Sequence, residues 1–113
     1  MQERKKVKLH YSHKAQRDLD AIWDFYLDEY QNMDAAVKII DSITDDIDQL
    51  ANFPELGAPL SSIADVESNY RFLVTGNYLS FYRIDGTDIS IDRILYGSRD
   101  YLSILIGGME ENT

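Results

Sequence analysis

The last third of the chain constrains the fold most. Tyr70-Arg71-Phe72-Leu73-Val74-Thr75 is followed by Gly76-Asn77 and then by Tyr78-Leu79-Ser80-Phe81-Tyr82-Arg83-Ile84. Past the turn Asp85-Gly86-Thr87-Asp88 comes a third run, Ile89 to Tyr96. Aromatic and β-branched runs split by short turn signals predict an antiparallel meander. A two-residue Gly76-Asn77 loop sets the first register: Thr75 opposite Tyr78, Leu73 opposite Ser80, Arg71 opposite Tyr82. Phe72 with Phe81 and Val74 with Leu79 then share the other face. The expectation is that this second set packs under helices, against Ile22, Tyr26, Ile43 and Ile47. Arg71, Tyr78, Ser80 and Tyr82 are left on an open face. In the third run Ile89 and Ile91 share a phase with Arg93 and Leu95 while Ile94 lies opposite. A bulge or burial on both faces would produce that pattern.

The first half supplies the helices. Val7, Leu9 and Tyr11 alternate with Lys8 and His10, which predicts a first strand. Ser12 is placed to cap a helix starting just after it. Ala15, Leu19, Ile22, Trp23, Tyr26, Leu27 and Tyr30 recur at steps of three and four and define one helix face. Gln31-Asn32 breaks that helix, and Asn32 caps the next, whose face is Ala36, Ile39, Ile40, Ile43, Ile47 and Leu50. Phe53-Pro54 ends it, because the residue before a proline is pushed out of the helical region. Residues 53–69 read as a long loop with at most one short turn, Asp100 to Ile106 as a short terminal element, and Met109 to Thr113 as frayed. The whole, residues 1–113, is one α+β domain of order β-α-α-β-β-β, an antiparallel sheet with a helical hairpin packed on one face.

A chain of 113 residues with 44% hydrophobic and 27% charged residues buries about 65% of its unfolded surface and is globular. It has no cysteine, which excludes a disulfide scaffold and a cysteine-ligated zinc site. The basic start lacks the apolar stretch of a signal peptide and no run approaches a membrane span, so a cytoplasmic location with no membrane partner is expected. The net charge of −9 is uneven: thirteen acidic residues face two basic ones between residues 15 and 67. Long-range attraction to nucleic acid is excluded by such a balance, so any such contact must be local. The only arginines after Arg17 are Arg71, Arg83, Arg93 and Arg99. Each lies on or just beyond a strand of the meander, where a surface for an anionic partner would be built.

Other constellations carry less. His10 and His13 have no third ligand in view and read as surface histidines, so no metal and no cofactor is expected. Asp20, Asp24 and Asp28, and likewise Asp41 and Asp45, fall at four-residue spacing on helices, where a solvated face or a docking surface for a basic partner accounts for them. No Walker or dinucleotide glycine string occurs. Tyr78, Tyr82 and Tyr96 are sheet residues that could also stack on bases.

Residues 7–106 resemble the RelE/ParE superfamily of toxins from type II toxin–antitoxin systems. The resemblance is carried by Tyr11-Ser12 with Ala15 and Asp18-Leu19, by Phe53-Pro54-Glu55-Leu56-Gly57, by Tyr70-Arg71-Phe72-Leu73-Val74, by Asn77 to Ile84, and by Arg93-Ile94-Leu95-Tyr96-Gly97-Ser98-Arg99-Asp100-Tyr101. It implies the same fold and a cognate antitoxin whose tail wraps the domain, either as a toxin–antitoxin hetero-oligomer or beside a homodimer. Mechanism splits within the superfamily. The RelE-like branch is a ribosome-dependent mRNA endoribonuclease; the ParE-like branch inhibits DNA gyrase and is not an enzyme. Arg71 and Arg99 match basic positions of the ribonuclease branch and would be its catalytic residues. Leu79 stands where that branch has an arginine, Leu73 where some members have lysine, and Asp100 where several have histidine. With the string Tyr96 to Tyr101, this favours a plasmid-stabilisation toxin that arrests growth through gyrase. The ribosome and mRNA are the alternative target, and a non-toxic antitoxin-binding module is a third reading. Residues nominated for target or antitoxin binding are Arg71, Tyr82, Arg83, Arg93, Tyr96, Arg99 and Tyr101.

Overall fold

The computed structural model describes residues 7–97 and 101–110, the last five by backbone alone. Strand β1 (Lys8–Tyr11) leads into helices α1 (His13–Tyr30) and α2 (Met33–Asp48). The two-residue strand β2 (Ala58–Pro59) precedes β3 (Arg71–Thr75), β4 (Tyr78–Asp85), β5 (Asp88–Tyr96) and helix α3 (Tyr101–Glu110). One sheet has the order β1-β5-β4-β3-β2. The meander is antiparallel as expected, but β1 pairs parallel with β5, so the sheet is mixed. The α1–α2 connection is the crossover that parallel pairing needs.

Local chemistry sets the helix ends. Ser12 Oγ accepts from Ala15 N–H at 3.0 Å and donates to Asp92 O at 2.8 Å, so one hydroxyl both caps α1 and ties it to β5. Asn32 Oδ1 accepts from Ala35 N–H at 3.0 Å and caps α2. Gln31 closes α1 at φ 48°, its N–H donating to Leu27 O, a left-handed cap conformation usually taken by glycine.

The Gly76-Asn77 hairpin has the register read from the sequence, from Arg71 with Tyr82 to Thr75 with Tyr78. Its faces are the reverse of that reading. Leu73, Tyr78 and Tyr82 lie with Ile22, Ile43, Ile47 and Leu50 under the helical hairpin. Phe72 and Phe81 are buried on the opposite face, with Leu60, Tyr70, Leu95 and Leu105. Val74 is 60% exposed. The reason is in β5. Ile89 pairs with Ile84, Ile91 with Tyr82 and Ile94 with Ser80, with a bulge between Phe81 and Tyr82 that leaves Asp92 as the extra residue. The bulge keeps all three isoleucines on one face, and that aliphatic ridge, rather than the phenylalanines, meets the helices. The face expected to be open is the core, and Tyr82 is fully buried. The other face is not bare either: α3 and the 60–70 loop cover its centre, with Tyr101 stacked on Phe81 at 5.6 Å. Among the described residues, Ser80 Oγ is the buried side-chain oxygen left without a hydrogen-bond partner.

Candidate functional site

The arginines of the meander do not converge. Arg71 leaves the start of β3 and donates from Nε to Gly57 O (3.0 Å) and from Nη2 to Glu55 O (3.1 Å). The Tyr82 hydroxyl, beneath it, accepts from Gly57 N–H at 2.9 Å and donates to Pro54 O at 2.9 Å. Four hydrogen bonds thus pin the 54–57 loop. A Cβ on Gly57 would stand 2.5 Å from Phe72 O and 2.7 Å from the Tyr82 ring, so only glycine fits that approach. The pinned loop projects Phe53 and Leu56 outward, 61% and 49% exposed.

Arg83 lies on the opposite face. Its Nε donates to Asp92 Oδ2 at 2.8 Å, and the guanidinium sits 5.6 Å from the centre of the Tyr70 ring. Tyr70 donates its hydroxyl to the same carboxylate oxygen at 2.8 Å. Burial, and then that hydrogen bond, pushes the Tyr70 phenol up to about 12. Asp92 is the bulge residue, so the bulge delivers the carboxylate that holds both groups. Arg93 makes a two-pronged contact with Asp18 on α1, Nε at 2.8 Å and Nη2 at 2.9 Å, while Ile94 N–H donates to the same carboxylate at 2.9 Å. Asp18 thereby closes the stretch of β5 edge that β1 is too short to cover. Arg99 lies outside the described residues. None of Arg71, Arg83 and Arg93 is free to neutralise a phosphate without giving up a protein partner.

A polar hollow of about 450 Å³ adjoins Arg83 and is lined also by His10, Asn69, Ser90, Asp85 and Asp88. His10 Nε2 is 3.6 Å from Asp88 Oδ1. The carboxylates outnumber the one permanent cation there, the reverse of what a scissile phosphodiester requires. Among the described residues no group of three His, Cys, Asp or Glu could hold a metal ion, and no helix is long and apolar enough to cross a membrane.

What the structure does assemble is an aromatic groove of about 500 Å³ between the second half of α1 and the far end of β4–β5. Phe25, Tyr26 and Tyr30 form one wall, with ring centres 5.4–5.8 Å apart. Tyr78 and Tyr96, 5.5 Å apart and nearly perpendicular, form the other. Burial, then the Tyr26 hydroxyl, raises the Tyr78 phenol to about 12. Phe25, Tyr30 and Tyr96 remain 46%, 60% and 40% exposed. Of the residues nominated from sequence, only Tyr96 lies in this groove; Tyr101 and Tyr82 serve the two cores. Phe25, Tyr26 and Tyr30 escaped sequence reasoning because Tyr26 and Tyr30 fit the apolar stripe of α1. The available signal was Phe25, a large ring set off that stripe.

Known proteins share this architecture. Residues 9–101 match the family described as ParE toxin of type II toxin-antitoxin system, parDE. Among solved structures, the chain resembles one from the chromosomal ParDE toxin–antitoxin system of P. aeruginosa at 27% identity and TM-score 0.67, covering 80% of this chain and 96% of that one. It also shares its fold with a chain of the toxin–antitoxin complex RelBE2 from Mycobacterium tuberculosis, at 20% identity and TM-score 0.54, covering 81% of this chain and 99% of that one. No curated protein matches.

Proposed function

Since the chain belongs to the ParE toxin family of type II toxin–antitoxin systems, we propose that it arrests growth by binding DNA gyrase and that a cognate antitoxin neutralises it. The observation that carries this over the ribonuclease reading is the engagement of Arg71. The side chain that matches a basic position of the ribonuclease branch holds the carbonyls of Glu55 and Gly57 instead of facing solvent. A nuclease of this size needs positive charge or a proton donor held ready at the scissile phosphate. Arg83 and Arg93 are tied to Asp92 and Asp18 on separate parts of the sheet. Leu79 adds no charge, and the surrounding surface is acidic. An inhibitor that works by contact needs only a stable, shape-specific surface, which the exposed aromatic groove and the pinned Phe53–Leu56 loop offer.

The reading is tested by inducing the chain alone in bacteria. Growth should stop, the DNA-damage response should rise, and primer extension on cellular transcripts should find no new ends. Co-expression of the antitoxin should restore growth. Codon-phased cuts that disappear in Arg71→Ala would establish the ribonuclease in its place, and unimpeded growth with abundant folded protein would leave an antitoxin-binding module.

A further inference from the structure

The aromatic groove has no structural partner within the chain, and its chemistry selects one kind of occupant. Its residues carry five rings and a single charge, the Asp18 carboxylate, with no lysine or arginine among them. The rings are packed edge to face or tilted against one another, so their positions are set before anything binds and little ordering cost remains. The helix that forms one wall adds Asp20, Asp24, Asp28 and Glu29, all exposed. Aromatic faces ringed by carboxylates attract cations: the ring quadrupole is negative at its face, and a guanidinium stacks there while its N–H groups reach acidic neighbours. An anionic or nucleic-acid occupant would be repelled by the same residues.

We infer that this groove receives a basic segment of the partner antitoxin, an arginine-bearing peptide whose guanidinium seats over the Tyr30 and Tyr96 rings and whose aliphatic neighbours pack on Phe25. The inference rests on the toxin–antitoxin reading for the identity of the partner, and on the groove alone for its chemistry. It also accounts for the charge of the chain. Thirteen acids against two basic residues between positions 15 and 67 steer a cationic tail to the face that carries the groove.

The probe is a synthetic amphipathic peptide of arginine and leucine, with a glutamate–leucine counterpart, titrated against the whole chain by NMR. The arginine peptide should shift the ring resonances of Tyr26, Tyr30, Tyr78 and Tyr96, and the glutamate peptide should not bind. Tyr30→Leu with Tyr96→Leu keeps apolar surface but removes the π faces, and should weaken binding about tenfold. Tyr30→Phe with Tyr96→Phe restores the rings without the hydroxyls and should restore affinity. Both ring positions are substantially exposed, and thermal unfolding confirms that each variant is folded. Asp41→Asn with Asp45→Asn, on α2, should leave affinity within about twofold. If those α2 changes weaken binding as much as the leucine pair, the attraction is general electrostatics and the groove assignment fails. If the leucine pair binds as well as the parent, the assignment fails as well. Growth arrest by the unsubstituted chain is scored separately, so loss of the groove proposal leaves the toxin reading standing, and the reverse also holds.

Discussion

Tyr82→Phe removes one oxygen atom, and the structure says what that oxygen does. The hydroxyl is fully buried, accepts from Gly57 N–H and donates to Pro54 O, both at 2.9 Å. Each bond contributes about 1 kcal/mol, and a Gly57 N–H left buried without a partner adds roughly 1–2 more. The expected loss is therefore about 2–4 kcal/mol. For 113 residues, an unfolding entropy of ~0.24 kcal/mol/K converts this to a Tm drop of about 8–16 °C. Urea unfolding followed by tyrosine and tryptophan fluorescence measures the same quantity independently. Arg71 holds the same loop from the other side, through Gly57 O and Glu55 O. A double-mutant cycle of Tyr82→Phe with Arg71→Met should therefore be non-additive by about 0.5–2 kcal/mol, because either change frees the loop that both restrain. Were Tyr82 on an open face, losing its hydroxyl would cost under about 0.5 kcal/mol. A loss that small, or strict additivity with Arg71, would refute the face assignment and the pinned loop together.

Asp18→Ala should cost about 2–4 kcal/mol in urea unfolding, since it strands the partly buried Arg93 guanidinium and the Ile94 N–H at the β5 edge. Ser80→Ala should be neutral or raise Tm by a few degrees, because it deletes a buried hydroxyl without a partner; a drop of more than about 1 kcal/mol would show that the hydroxyl is satisfied. Stability should fall as pH rises from about 10 to about 12. Tyr11, Tyr70 and Tyr78 hold their protons to about 12 in the folded chain, chiefly through burial, against 10 when unfolded, so the unfolded state loses protons first. Urea midpoints across that range, with tyrosinate absorbance alongside, check this: a flat profile with all tyrosines ionising near 10 would contradict it.

The parts of the fold that were legible in sequence are those decided within a few residues. Ser12 and Asn32 announce the two helix starts, and Gly76-Asn77 fixes which residues of β3 and β4 face each other. The choice of face was not local. Both faces of that hairpin carry large apolar side chains, and only the Ile89, Ile91 and Ile94 ridge, kept in phase by the Asp92 bulge, decides which one meets the helices. That ridge was derivable: the turn Asp85 to Asp88 pairs Ile84 with Ile89, and Tyr82 with Ile91 is the next pair on that face. The parallel pairing of β1 was not derivable, because nothing near Lys8–Tyr11 names its neighbour. The fate of the arginines was hidden for a similar reason. Arg93 meets Asp18 75 positions away and Arg71 meets Gly57 14 positions away, so a row of basic residues on adjacent strands became three separate structural contacts. The aromatic groove was masked by its own composition, since Tyr26 and Tyr30 satisfy a core stripe as well as a surface.

Inhibition of gyrase by contact, rather than by cutting RNA, can be decided with purified components. The chain is titrated into a reaction of gyrase, ATP and relaxed plasmid, and in parallel into ribosomes translating a defined mRNA. Supercoiling should be lost as the chain approaches gyrase in concentration, added antitoxin should restore it, and the mRNA should stay intact at every dose. Undiminished supercoiling beside codon-phased cleavage of the mRNA would show that the chain is a ribonuclease and not a gyrase inhibitor.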